Sequence, residues 1–118
     1  MNYSDAAQEI TEILPDFENK IAGFMPQNSH SVIRTFTECI KTMIRQDDRN
    51  LLPECLRRMS RIYTDGDSSL KSAVENIFIY SLDNFTALCT GEYRKVIFSH
   101  ISPDLQKCYI RQIYSHGV

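Results

Sequence analysis

The chain has 118 residues, 42% hydrophobic and 24% charged, with a formal net charge of −2 and a pI near 5.9. That length fits one domain, residues 1–118, able to bury a core without staples. The charge excludes a global basic field for nucleic acid or anionic lipid, and four Gly with four Pro leave few turns for a many-stranded β fold.

The first turn carries a capping Ser4, followed by Ala7, Ile10, Ile13 and Leu14 on one helical face. Leu14 precedes Pro15 and is biased out of the helical region. Pro15 then opens a short second helix with Phe17, Ile21 and Phe24 inward, and MPQNSHS reads as a loop. A clean helix follows from about Ser31 to Gln46, striped by Ile33, Phe36, Ile40 and Ile44 and widened by Met43. Asp47 and Asp48 are placed to cap the next helix, which Pro53 requires to begin near Arg49 or Asn50. Its apolar face holds Leu51, Leu52, Cys55, Met59, Ile62 and Tyr63.

In Thr64–Asp67, Gly66 is suited to a left-handed stop and Asp67 to a new cap. The helix that follows contains NIFIYSL, the most apolar run of the chain. At 100° per residue, Leu70, Val74, Ile77, Phe78, Ser81 and Phe85 share one face. Ile79 falls opposite them, so either this helix is packed on both sides or Ile79 and Tyr80 lie under a partner. Thr90 or Gly91 opens a helix with Tyr93, Val96, Ile97 and Ile101. Ser102-Pro103-Asp104 starts the last, with Leu105, Tyr109 and Ile113. The expectation is an all-α fold of five to six helices, as a single compact bundle or a short stack of helical hairpins. No window approaches the roughly 20 apolar residues of a membrane span.

Chemistry-bearing signatures do not emerge. Cys39, Cys55, Cys89 and Cys108 form no CxxC pair, which argues against a zinc site and for reduced thiols. An EF-hand begun at Asp65 would need Gly and Glu where Leu70 and Asn76 stand. His100 falls on the apolar face of its helix among Val96, Ile97 and Ile101, without a convincing partner beyond Asp104 at i+4, and reads as a satisfied core or boundary histidine. His30 and His116 fall in a loop and a tail. No metal, catalytic or cofactor residue is expected. The N-terminal stretch lacks a basic region and a long apolar run, so no standard secretory leader is expected and the cytoplasm is the expected compartment.

Charge alternates along the chain. Residues 1–30 carry five acids and one Lys, net −4; residues 31–64 carry seven bases and four acids, net +3. Residues 65–85 carry four acids and one Lys, net −3; the remainder carries four bases and two acids, net +2. Arg57, Arg58 and Arg61 point away from the apolar face of their helix. Arg34, Lys41 and Arg45 form a stripe on the one before. Together they could meet an acidic partner or a phosphate backbone, although Glu38 and Glu54 neutralise some of them at helical spacing. With Ile79 and Tyr80, these bases are the candidate partner-binding residues.

The segment LPDFENK, followed by IRQDDRNLLPECLRRMSRIYTDGDSSLKSAVENIFIYSLDNFTAL, resembles a bacterial domain family of unknown function over about residues 12–90. The resemblance implies a small helical protein, similar in build to helical immunity proteins that bind toxins, and carries no catalytic residues. The leading expectation is therefore a non-catalytic bacterial protein, monomer or homodimer, that binds another protein. The alternative is a regulatory nucleic-acid-associated module using the basic stripes, although nucleic acid is not the preferred partner. The third reading is an enzyme with a dispersed site near His100.

Overall fold

Every regular element among residues 1–22 and 28–116, which the computed structural model describes, is helical. In chain order these are α1 (Tyr3–Ile13), α2 (Phe17–Ala22), α3 (Ser29–Arg45), α4 (Leu52–Asp65), α5 (Ser68–Ala73), a π-helical segment (Val74–Ile79), α6 (Tyr80–Thr86), α7 (Gly91–Ser99) and α8 (Pro103–His116). The backbone stays helical through both junctions of the π segment, so residues 68–86 form one rod. That makes seven rods among the described residues, one more than the upper expectation. Phe24 and Met25–Gln27 lie outside the described residues.

Local chemistry sets most of the boundaries. Asn2, not Ser4, caps α1: its side chain accepts from the Asp5 amide at 3.0 Å, and Asp5 returns the bond to the Asn2 amide at 3.1 Å. Asn28 and Ser31 close the same reciprocal box on α3, which therefore starts inside the stretch read as a loop. Asp67, Thr90 and Ser102 cap as expected.

The Asp47-Asp48 pair does not cap α4. Asp47 takes a left-handed conformation, φ 54°, and its amide donates to Ile44 while that of Asp48 donates to Met43. The two bonds satisfy the last carbonyls of α3 in a Schellman termination, so the pair ends one helix instead of starting the next. The chain then runs to Leu51, which is 41% exposed, and α4 begins at Leu52 with Pro53 in its first turn. Gly66, by contrast, is not the left-handed stop expected of it (φ −71°). Glycine is needed there for space: a Cβ would sit 2.4 Å from the Ile62 carbonyl oxygen and 2.8 Å from the Leu70 Cβ.

The architecture is a bundle around α3, which packs against α1, α2, α4, α5, the π segment and α6. Val32, Ile33, Phe36 and Ile40 of α3 are fully buried, and Phe36 meets Phe17 of α2 edge-on at 6.2 Å. The π segment packs against both α3 and α8.

The π turn resolves the anomaly of Ile79. Its wider turn takes up one extra residue, so everything downstream is rotated back by about 100° from the α-helical wheel. With that rotation the buried residues Leu70, Ala73, Val74, Phe78, Ile79, Leu82, Phe85 and Thr86 fall within an arc of about 140°. Ile77 and Ser81, expected inside on an unbroken wheel, are only half-buried. The Ser81 hydroxyl bonds the Ile77 carbonyl at this turn.

Helix α7 is attached mainly through side chains. The Arg49 guanidinium lies over the Tyr93 ring at 4.2 Å, and Phe98 packs on Tyr109 at 4.9 Å. Gln106 donates to the Phe98 and Ile101 carbonyls, and Ser60 of α4 accepts from the Ser102 amide at 3.0 Å. Tyr93, Ile97 and Ile101 are buried, whereas Val96 and Ile113, expected inside, are 43% and 41% exposed.

Candidate protein-binding groove

The two sets of bases singled out in the sequence meet different fates. Arg58 bridges α4 to α1, reaching Glu12 at 3.1 Å and Glu9 at 3.4 Å. Arg61 reaches the same Glu9 at 3.3 Å and Asp65 at 3.6 Å. Arg57 holds Glu54 at 2.6 Å, with the ring nitrogen Nδ1 of His100 at 3.4 Å. The arginines of α4 therefore serve the molecule's own carboxylates: the acidic first segment neutralises the basic one by folding onto it. The spacing of Glu9 and Glu12 on α1 was the available signal, but pairing across 46 and 49 residues cannot be read from one helix wheel. His100 ends α7 beside Arg57, not inside an apolar pocket.

Ile79, a candidate surface residue, is 2% exposed and belongs to the core, because the π turn carries it inward. Tyr80, the next residue, is carried outward and is 63% exposed.

The stripe on α3 is open. Lys41 pairs with Glu38 at 3.6 Å, while Arg34 and Arg45 are exposed and make no ion pair among the described residues. Lys41 and Arg45 border a cleft of about 500 Å³ between the end of α3 and the end of α6. Ile44 and Phe85 form its apolar floor, and Asn84 and Cys89 complete the wall. At its rim Leu88 is fully exposed, in the turn after α6, where the Cys89 amide donates to Thr86 at 3.1 Å. Sequence reasoning passed over Leu88, since it belongs to no helical stripe; a leucine in a turn was the signal.

The thiols are all free, three buried and Cys89 half-buried. Burial pushes Cys55 up to about 12 and raises Cys39, Cys89 and Cys108 above the ordinary thiol value. Among the described residues, no group of three or more His, Cys, Asp or Glu is placed to hold a metal ion. No described helix is long and apolar enough to cross a membrane.

The fold is thus that of a small all-α bundle organised around one central helix. The chain belongs to a family defined as a domain of unknown function (DUF7674), whose model matches residues 7–115. No curated protein and no solved structure shows significant similarity to it.

Proposed function

We infer that this is a non-catalytic helical protein of the bacterial cytoplasm that works by binding another protein, as immunity-type proteins do, through the α3–α6 groove. The carrying observation is Leu88, fully exposed beside an apolar floor and an uncompensated arginine. Contact with a partner would desolvate Leu88, and arginine is enriched among the residues that carry binding energy. Lys41 and Arg45 make the rim basic, so the occupant that fits is a protein segment presenting an apolar side chain flanked by carboxylates. The α4 arginines support a nucleic-acid partner less well, because their charge is spent on Glu9, Glu12, Glu54 and Asp65.

Selection of a displayed random-peptide library on the full chain tests this. The expected outcome is enrichment of acidic peptides with an apolar anchor, lost in Leu88→Ser and in Arg45→Glu. Enrichment that is non-acidic, or indifferent to both substitutions, would overturn it.

A further inference from the structure

A second cleft, of about 450 Å³, lies between the end of α4, α5 and α8 and shares no residue with the Leu88 groove. It is lined by Tyr63, Thr64, Lys71, Asp104, Lys107 and Arg111. Three cations from two helices meet there with one carboxylate in the wall. Lys41, Arg49, Arg57, Arg58, Arg61 and Arg94 all make ion pairs. Lys71, Lys107 and Arg111 make none among the described residues.

Asp104 is the single carboxylate of the wall, which leaves the three bases in excess, and the acids four residues either side of Lys71 are engaged elsewhere. Glu75 accepts the Tyr63 hydroxyl at 2.7 Å, and Asp67 accepts the Leu70 amide at 2.9 Å as the cap of α5. Both hydroxyls of the wall also donate within the protein, Tyr63 to Glu75 and Thr64 to the Ser60 carbonyl at 3.1 Å. Arg111 gives part of its donor capacity to the Cys108 thiol, so the donors left in the cleft are the two ammonium groups and the remaining guanidinium N–H groups. Three like charges gathered against one carboxylate repel, and a multivalent oxyanion relieves that repulsion. A guanidinium fork adds bidentate recognition of a tetrahedral oxyanion, with lysines as point charges around it.

We propose that the α4–α5–α8 cleft binds the phosphate group of a small molecule, held by Arg111, Lys107 and Lys71. Tyr63 and Thr64 border the site as acceptors for the remainder of the ligand. The site does not depend on the protein-binding reading of the α3–α6 groove.

The test is calorimetric titration of the full chain at low ionic strength, where surface charge is least screened. The probes are inorganic phosphate, pyrophosphate and glycerol phosphate. Saturable binding is expected, weakened about tenfold or more in Lys107→Gln/Arg111→Gln and unchanged in Arg34→Gln/Arg45→Gln. All four residues are exposed, and circular dichroism verifies that each variant keeps its helices. Tighter binding of the ester assigns the site to a phosphorylated small molecule, and equal binding of the free ion to inorganic oxyanions; either supports the shared chemistry. No binding of any probe, or equal loss in both double variants, overturns the proposal.

Discussion

The Tyr109 hydroxyl of α8 donates to Asp83 of α6 at 2.5 Å, and Arg94 of α7 reaches the same carboxylate at 2.9 Å while donating to the phenol oxygen. One carboxylate thus joins three helices. The Tyr109 hydroxyl bond, followed by Arg94, holds the Asp83 carboxyl below its ordinary value. Burial, and then the bond to Asp83, pushes Tyr109 up to about 12. Asp83 therefore stabilises the fold above its unfolded value, and that contribution is lost as pH falls through the lower folded one. Tyr109 contributes fully below its unfolded value of about 10, and the contribution is lost as pH rises toward about 12. Tyr109→Phe should cost about 1 kcal/mol near neutrality, since Asp83 is largely exposed. The gap between wild type and Asp83→Asn should close below about pH 4. Denaturant titrations across pH measure both.

The Arg58–Glu9 bridge should matter far more than the Arg57–Glu54 pair. The Arg58 and Glu9 side chains are 17% and 15% exposed, and the second Glu9 oxygen has no hydrogen-bond partner among the described residues. Arg58→Ala should cost about 2–3 kcal/mol, somewhat below the loss from a fully buried pair. Arg57→Ala, at an exposed pair, should cost under about 1 kcal/mol. Equal losses in urea unfolding would contradict this placement.

The π turn makes neighbouring isoleucines unequal. Ile79→Ala should cost roughly 2–4 kcal/mol and Phe78→Ala about 3–5 kcal/mol, as buried large-to-small changes do, with Ile77→Ala well below both. Melts that do not depend on protein concentration would locate the Ile79 effect inside one chain. An Ile77 loss exceeding that of Ile79 would restore the unbroken α-helical wheel.

Two glycines should respond oppositely to alanine. At Gly66 the added Cβ meets backbone at 2.4 Å, so Gly66→Ala should destabilise by about 2 kcal/mol or more. At Gly91, the first residue of α7, nothing lies within 4 Å. Gly91→Ala should be neutral or stabilising by up to about 1 kcal/mol. Thermal melts of the two variants are sufficient.

Thiol reactivity should follow burial. Cys89, half-buried, should alkylate first in the native protein, and Cys55, fully buried and pushed up to about 12, last. Timed iodoacetamide labelling read by peptide mass spectrometry gives the order; early labelling of Cys55 would refute it.

The helical class and most starts were legible in the residues, because caps and periodicity act over three or four positions. Asp67, Thr90 and Ser102-Pro103 needed no tertiary context. What the chain leaves open locally, packing decided. Asp47 is the exception: it suits a cap and a left-handed stop equally, and local bonds to the last carbonyls of α3 claimed it. NIFIYSL suits an α-helix, yet packing against α3 and α8 rewards burial of Ile79 over Ile77, and a π turn provides it. The arginines of α4 looked available until α1 brought Glu9 and Glu12 against them. The cationic cleft of Lys71, Lys107 and Arg111 joins two helices whose wheels show nothing unusual. Sequence by itself determined where helices form, through contacts a few residues apart. Only the tertiary structure decided which charges are spent in ion pairs and which are left without one, because such pairing depends on neighbours tens of residues away.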